Sequence, residues 1–368
     1  MSKETISDRQ GICLIILFIS GEALSRKTAP AAGKDLWLAI LLAIAVTLLF
    51  TLAYARLLSL FYGKDLFDIL ECLFGKFFGK LIGLLFAGYV FYTGAWVLRD
   101  FSEFPVTVSI PETPRIVLAI FMIALCIWIV KEGLETLSRW ATLFVLLDAP
   151  LPSLAILLLI EQMDLNNIQP VLYEGIEPVI HGAFQAFSFP FAETVVFVMV
   201  LSSLKSKASC YKIYIKGLLL GGMLIAGVSL AEILVLGPHW YSALFFPNHA
   251  AASIIDAGEA LQRLEMIAII ATITSTFVKI SVYLLATCNG IAKIFNLKDY
   301  KLLVFPVGLM MCNITLFGDE SIIDLFKMLE DVWPYFAFPF QVVLPLAILI
   351  IAEISQRRSG SMKEADEG

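Results

Sequence analysis

The chain has 368 residues, of which 59% are hydrophobic and 16% are charged, against about 25% charged residues in an ordinary soluble domain. A mean hydropathy of +0.87 and a net charge of −6 exclude a secreted domain, a disordered chain, a nucleic-acid-binding protein and a typical cytosolic enzyme. We therefore predict an all-α polytopic membrane protein whose main partner is the lipid bilayer and which binds no nucleic acid.

Ten apolar stretches are long enough to cross a bilayer core of about 30 Å, which takes roughly 20 residues per helix. In chain order these predicted spans 1 to 10 cover residues 10–29, 35–60, 80–104, 115–131, 137–160, 178–203, 211–236, 264–294, 301–317 and 334–355. Two further stretches, 64–79 and more weakly 247–261, carry apolar residues at helical spacing. We predict that both lie as amphipathic helices at the membrane interface.

The basic residues predict how the chain is oriented in the membrane, because lysine and arginine accumulate in short cytoplasmic loops. With the N-terminus inside, eighteen of the 26 basic residues fall on the inner side, seven fall on the outer side and Lys279 lies within a span. Both termini are therefore predicted to be cytoplasmic. The acidic outer loops are interpreted as solvated segments, in preference to a cation-recruiting surface.

Two spans contain residues that interrupt a helix. Span 1 carries Gly21 beside Glu22, and span 6 carries Pro190 three residues before Glu193; a proline removes an amide donor and disfavours helix at the preceding residue. Irregular backbone inside a membrane is tolerated only where it is buried in protein or lines a cavity. A proline kink without function stays open as the alternative for span 6.

The two breaks are 169 residues apart, so they fall at the start of two halves of five spans each. Because five is odd, the halves enter the membrane from opposite sides. We predict a single transmembrane domain over 1–368, with an inverted repeat of about 10–160 and about 178–355 and a cytoplasmic tail at 356–368. A ligand is then expected near the midplane, where broken helices 1 and 6 meet.

Lys279 is the most informative charge within a span. It stands fourteen positions from both Glu265 and Lys293, which is about 21 Å along a helix in either direction. A lysine at the centre of a span costs on the order of 2.5 to 3.5 kcal/mol. It therefore needs a carboxylate partner, a neutral state or a watery cavity.

Cysteine and histidine give no indication of metal or catalytic chemistry. The six cysteines are scattered without a C-x-x-C pair, and the three histidines show no ligand spacing. The sequence also lacks a nucleophile-base pair and a phosphate-binding loop. We expect no metal, no cofactor and no enzyme activity. A membrane enzyme is therefore the least favoured hypothesis.

A series of segments in order along the chain carries a family resemblance, although no one of them is a catalytic signature. They run from DRQG at 8–11 to RR at 357–358 and include NIQPVL at 167–172, EGIEP at 174–178, SFPFAE at 188–193, LQRLE at 261–265 and CNG at 288–290. This series resembles the B subunits of bacterial spore germination receptors. They form the endospore germination permease family within the amino acid-polyamine-organocation superfamily.

The resemblance implies the leucine-transporter fold of ten transmembrane helices, a 5+5 inverted repeat with helices 1 and 6 broken. It also implies a small-molecule germinant such as an amino acid as ligand. The implied partners are an A-type subunit and a lipoprotein C-type subunit in the spore inner membrane. The chain departs from the family at Leu24-Ser25-Arg26-Lys27, where an apolar continuation toward a proline is usual, and this bears on how the outer half of span 1 lines the site.

The predicted ligand site joins the two breaks to spans 3 and 8. In the resembled fold span 8 flanks the break of span 1, so the Lys279 ammonium is expected to replace a coupling cation near Ser20 and Gly21; an ion pair with Glu193 or Glu22 is the alternative. Tyr283 stands one turn beyond Lys279. The complete predicted set is Ser20, Gly21, Glu22, Ala23, Thr93, Val97, Phe189, Pro190, Glu193, Lys279 and Tyr283.

Two functions follow from this site. The first is a germinant-sensing subunit, in which a small ligand biases a transporter-like scaffold between two states and the change passes to partner subunits. The second is a secondary active amino-acid transporter of the same fold, coupled to protons or sodium. Uptake of labelled amino acid into vesicles separates them, because a sensor alone accumulates nothing.

Overall fold

The computed structural model describes residues 5–148, 150–254, 264–315 and 321–366. The chain is helical throughout these ranges apart from connecting turns and one isolated bridge between Ile6 and Leu204. In chain order the described α-helices are α1 Asp8–Ser20, α2 Leu36–Leu60, α3 Leu66–Val108, α4 Arg115–Glu132, α5 Leu134–Asp148, α6 Pro150–Leu158, α7 Glu177–Ala186, α8 Phe197–Val200, α9 Lys207–Ala243, α10 Pro247–Ser253, α11 Leu264–Ile294, α12 Lys301–Ile314, α13 Ile322–Lys327, α14 Trp333–Phe338 and α15 Leu344–Asp366.

Seven helical stretches of the described chain are long and apolar enough to cross a membrane. They are Pro30–Leu60, Leu66–Val108, Leu134–Leu158, Glu177–Val200, Lys207–Ala243, Ile269–Ile294 and Ile322–Arg357, and they overlap predicted spans 2, 3, 5, 6, 7, 8 and 10. Predicted spans 1, 4 and 9 correspond to α1, α4 and α12. With 13 residues, α1 is about 20 Å long, which is shorter than the bilayer core of about 30 Å.

The outer faces of the bundle are apolar. Leu49, Phe121 and Leu302 expose 67%, 68% and 75% of their surface, and other large apolar side chains on α2, α3, α4 and α12 are similarly exposed. A water-soluble monomer rarely shows apolar patches larger than a few hundred Å², whereas lipid solvates them. With the seven long apolar helices, this surface identifies an integral membrane protein.

The predicted interfacial helix 64–79 is wrong in its boundary. The backbone leaves the helical region at Gly75, with φ +73° and ψ 175°, so the amphipathic part is shorter and joins the membrane helix directly through this glycine. A Cβ added at Gly79 would lie 2.7 Å from the carbonyl oxygen of Leu70, so the chain turns back tightly on itself. The second predicted interfacial helix begins at Pro247 as expected; α10 ends at Ser253, and 255–263 lie outside the described residues.

Helix α1 occupies the centre of the bundle, where it packs against α5, α9 and α11. Glycine makes the contact with α9 possible: a Cβ added at Gly217 would lie 2.6 Å from the Cβ of Ile15. Small residues at such contacts let helix backbones approach closely in a membrane. Helix α11 in turn packs along α3 and against α1, which brings Lys279 next to the end of α1.

Candidate functional site

The first element of the site is the end of α1. The helix ends at Ser20, the backbone of Gly21 is non-helical with ψ −129°, and a short 3₁₀ turn, Glu22–Leu24, follows. Glycine at residue 21 leaves room for Lys279, because an added Cβ would lie 2.8 Å from Cδ of Lys279 and one of the two would have to move. All four predicted residues in this segment, Ser20 to Ala23, are buried.

The second element is the irregular segment that follows α7. A single π turn, Phe187–Phe191, contains Phe189 in an extended conformation, with φ −139° and ψ 119°. Proline accounts for it, because its ring disfavours helix at the preceding residue and Pro190 donates no hydrogen bond. The 3₁₀ turn Ala192–Val196 then carries Glu193 into the protein interior.

The Lys279 ammonium joins these two segments. Its Nζ lies 2.7 Å from Oε2 of Glu193 and 3.4 Å from Oε2 of Glu22, and the three residues are 0%, 2% and 4% exposed. The Nζ also lies 4.5 Å from the ring centre of Phe189, where an aromatic face attracts a cation. The sequence left open an ion pair of Lys279 with Glu193 or Glu22. That ion pair is present, and it involves both carboxylates.

A cavity of about 260 Å³ adjoins this ion pair. Its lining comprises Glu22, Arg26, Thr93, Trp96, Val97, Asp100, Phe189, Glu193, Leu329 and Trp333. Five of these belong to the predicted set: Glu22, Thr93, Val97, Phe189 and Glu193. The two interrupted segments supply Glu22, Phe189 and Glu193, and α3 supplies a wall that includes Thr93 and Asp100.

The other predicted residues do not line this cavity. Ala23 and Pro190 are buried within the two interrupted segments. Tyr283 is fully buried and its ring centre lies 5.2 Å from that of Phe18 in α1. Ser20 faces a separate small cavity shared with Asp148 and Ser275, on another side of α1.

Sequence reasoning missed Arg26 and Asp100 as members of the site. The Arg26 guanidinium lies 3.3 Å from Oδ2 of Asp100, and it stacks over the rings of Phe189 and Phe326 at 4.6 Å and 5.2 Å. The signal was present at Arg26, where the chain departs from the family pattern. The sequence did not identify Asp100 as the partner of Arg26, because Asp100 is 74 positions away and meets Arg26 only in the folded chain.

A second missed feature is the amide of Gln341, which holds the interrupted segment after α7. Its Nε2 donates to the carbonyl oxygen of Ser188 at 2.9 Å and to the hydroxyl of Tyr89 at 3.1 Å. The carbonyl oxygen of Gln341 accepts a hydrogen bond from the Tyr54 hydroxyl. The bond to Ser188 satisfies a backbone carbonyl of the π turn in a low-dielectric interior.

The charges at the site do not cancel. Among the groups that line the cavity or pair with its carboxylates, Lys279 and Arg26 are cations, whereas Glu22, Glu193 and Asp100 are carboxylates, so this set has one excess negative charge when fully ionised. Removing charge from water is costly unless each group is paired. The arrangement therefore favours a ligand that brings a cationic group to the carboxylates.

Related sequences are spore germination proteins. Residues 5–321 match the family described as "Spore germination protein". The chain is 31% identical to Spore germination protein KB of Bacillus subtilis (strain 168), covering 99% of this chain and 98% of that protein. It is 26% identical to the putative spore germination protein YfkT of the same organism, covering 89% and 91%, and 22% identical to Spore germination protein A2, covering 95% of each.

Two solved structures show the fold. MhsT in complex with L-phenylalanine aligns with a TM-score of 0.68 at 14% identity, covering 95% of this chain and 99% of that chain. A Na⁺-coupled sialic acid symporter in its substrate-bound outward-open state aligns with a TM-score of 0.66 at 13% identity, covering 96% and 90%. The scaffold is that of the leucine-transporter-type transporters, and the sequence match over most of its length shows that this chain belongs to the spore germination permease family.

Proposed function

We propose that this protein is the germinant-sensing membrane subunit of a spore germination receptor and that it binds a small germinant such as an amino acid. The observation that carries this proposal is the buried Lys279 ammonium between Glu22 and Glu193, at the point where two helical segments are interrupted beside a cavity. Charged groups at this depth in a membrane protein are expensive and mark ligand or ion sites.

The proposed topology has ten spans, with α1, α4 and α12 added to the seven long helices. It forms one transmembrane domain, in which a five-span repeat over about 10–160 is followed by an inverted repeat over about 178–355. The alignment with solved transporters over most of their length supports it. The distribution of basic residues supports cytoplasmic termini, and the family supports the spore inner membrane as the location.

The charges indicate how an amino acid would bind. Its ammonium group would complete the pairing of the Glu22 and Glu193 carboxylates. Its carboxylate would take the Arg26 guanidinium and the free amides at the start of the Glu22–Leu24 turn, since the first amides of a helical turn have no partner within it. Thr93 and Val97 from α3, with Phe189, would contact the side chain.

Signalling requires that the ligand bind one conformation more tightly than another. The ligand would contact the two interrupted segments and α3, and a change in their separation would reach the surface of the bundle. The proposed receivers are an A-type subunit and a lipoprotein C-type subunit of the receptor. Membership of a family whose relatives are named as germination proteins supports this assignment.

Spores that carry Lys279→Met test the ligand-site role. We expect a loss of germination in response to the amino acid that triggers the unmutated receptor, and an immunoblot of the spore membrane separates this loss from a lower amount of the subunit. The conservative variant Lys279→Arg keeps the charge and is expected to retain part of the response. A full response of the Lys279→Met spores, with normal assembly, would contradict the role assigned to this lysine.

The second candidate is a secondary active amino-acid transporter coupled to protons or sodium. The observation that favours it is the close overall similarity to transporter structures, one of which holds L-phenylalanine. Membrane vesicles containing only this subunit decide between the two functions. Saturable binding of labelled amino acid without accumulation supports the sensor, whereas accumulation driven by a proton or sodium gradient supports the transporter.

A further inference from the structure

A second and larger cavity lies outside the site described above. The space between its lining residues amounts to about 580 Å³ and is partly open to the outside. Its lining among the described residues consists of Leu24, Leu151, Pro152, Leu154, Ala155, Ile156, Leu159, Val228, Ala231, Glu232, Asn248, Ala251 and Ala271. It shares none of these residues with the cavity beside Lys279.

Glu232 is the single ionisable side chain in this lining. It is 3% exposed, its Oε2 makes no hydrogen bond within the described chain, and none of the ion pairs between described residues includes it. Helix α9, which carries it, is one of the long apolar helices. An isolated carboxylate in such surroundings is costly, and a cation that enters the cavity removes that cost.

The remaining lining residues decide which cation fits. The other polar side chain is Asn248, and its Nδ2 already donates to the carbonyl oxygen of Leu24 at 2.5 Å. A calcium ion takes six to eight oxygen ligands, and the described chain has no cluster of three or more potential metal ligands. A zwitterion is also a poor fit because the lining offers no basic side chain to its carboxylate.

We infer that this cavity is a binding site for an apolar primary amine, whose ammonium group pairs with Glu232 and whose hydrocarbon part packs against the aliphatic side chains of α6 and α9. The amine would carry no carboxylate, unlike the amino acid proposed for the Lys279 site. Burial of its apolar part contributes roughly 25 cal/mol per Å², and the charge-assisted hydrogen bond sets the preference for an amine.

The cavity also adjoins the first interrupted segment. Leu24, which lies in its lining and accepts the Asn248 hydrogen bond, belongs to the same 3₁₀ turn as Glu22. An amine that displaces this turn would change the affinity of the Lys279 site, and the effect is reciprocal by thermodynamic linkage. This coupling rests on the proposed function, whereas binding of the amine at Glu232 does not.

Binding of n-hexylammonium to the purified full-length protein tests the inference. A ligand that binds only the folded protein raises its unfolding temperature, and we expect such a rise to saturate with n-hexylammonium. Hexanol, with the same chain and no charge, and hexanoate, with the opposite charge, are expected to bind at least tenfold more weakly.

Two variants test the charge of Glu232 and the volume of the cavity separately. Glu232→Gln keeps the shape and removes an unpaired charge, so it should fold, and we expect at least a tenfold loss of n-hexylammonium affinity. Ala155→Leu keeps the carboxylate and fills part of the cavity, with a similar expected loss. Glu161→Gln, at an exposed position just after α6, is the matched control and should bind as the unmutated protein does.

Unchanged affinity in Glu232→Gln would overturn the inference, as would equal binding of hexanol and n-hexylammonium or an equal loss in Glu161→Gln. Amino-acid binding measured on the same variants keeps the two proposals apart. Loss of amine binding with retained amino-acid binding supports the second site and leaves the Lys279 site intact. Failure of amino-acid binding in the unmutated protein, with amine binding present, would overturn the proposed function alone.

Discussion

Lys279 is held by two carboxylates that come from different parts of the chain. Glu22 follows the end of α1, whereas Glu193 follows the irregular segment after α7. The three side chains are almost completely buried, so each depends on the others for its charge compensation. Removing one partner of a buried pair leaves an uncompensated charge and is strongly destabilising.

The variant Lys279→Met is therefore expected to lower the free energy of unfolding in detergent by roughly 3–5 kcal/mol. The reason is that Glu22 and Glu193 would face each other without a cation. The double variant Lys279→Met with Glu193→Gln should recover part of this loss. Urea unfolding of the purified protein measures both values.

The matched control for this experiment is the ion pair between Lys212 and Asp8, whose side chains are 49% and 26% exposed. An exposed pair contributes about 0–1 kcal/mol, so Lys212→Met should change stability by no more than that. Equal losses in Lys279→Met and Lys212→Met would show that the central ion pair does not stabilise the fold.

The close approach of Lys279 to Gly21 gives a second test at the level of one residue. Gly21→Ala would place a methyl group 2.8 Å from Cδ of Lys279, so one of the two segments must move. We expect a loss of about 1–3 kcal/mol, which is typical of overpacking, and weaker binding of the proposed germinant. Thermal unfolding and ligand titration of the same preparation measure the two effects.

Gly88 in α3 provides the comparison for Gly21, because a Cβ added there has no neighbour within 4 Å. Gly88→Ala should be neutral or stabilise by up to about 1 kcal/mol, since alanine has the higher helix propensity. If Gly21→Ala behaved in the same way, residue 21 would tolerate a side chain and the steric argument for glycine would fail.

Among the helices, the contact between α1 and α9 positions the site. The Gly217 position lies against Ile15 in α1, and α1 ends five residues later, at the break that carries Glu22. A shift of α1 along α9 would therefore displace Glu22 relative to Lys279. The contact couples the packing of two helices to the geometry of the ion pair.

Gly217→Ala is expected to destabilise the protein by about 1–3 kcal/mol, because the new methyl group would lie 2.6 Å from the Ile15 Cβ. Adding Ile15→Ala should restore part of the stability by making room. Gly227→Ala in the same helix is the control: its added Cβ meets Ile156 at 3.6 Å, an ordinary contact. A lower unfolding temperature for Gly227→Ala than for Gly217→Ala would contradict this account.

Across the whole molecule, local rules predicted some features of the site and long-range packing determined the others. Gly21 and Pro190 interrupt their helices for reasons of backbone chemistry that the sequence displays directly. Lys279 was recognisable because a charge is rare within an apolar span. Arg26 and Asp100 were not paired in advance, since 74 positions separate them and nothing local joins them.

The boundaries of the helices also show what the sequence alone does not predict. Apolar runs locate spans well, and seven predicted spans overlap long apolar helices. The predicted start of span 3 at residue 80 is too late, because α3 turns at Gly75 and stays helical on both sides. Hydropathy detects where lipid surrounds the chain, but it does not detect a change of direction at a glycine with positive φ.

Cys72 allows the predicted orientation to be tested in the unmodified chain. It is exposed, whereas the other five cysteines are buried, and it lies near the start of α3, where the basic residues predict the cytoplasmic side. A membrane-impermeant maleimide should therefore label inside-out vesicles and leave sealed right-side-out vesicles unlabelled. Cys72→Ala should abolish the labelling.

A cysteine on the opposite side completes the test of orientation. Glu112 is exposed in the loop between α3 and α4, so Glu112→Cys in the Cys72→Ala background should be labelled in right-side-out vesicles. Because Cys72 and residue 112 flank one membrane helix, their labelling patterns must be opposite. Labelling of Cys72 from outside would reverse the orientation of the bundle and would place Glu232 and its cavity toward the cytoplasm, so the amine would have to enter from the inner face.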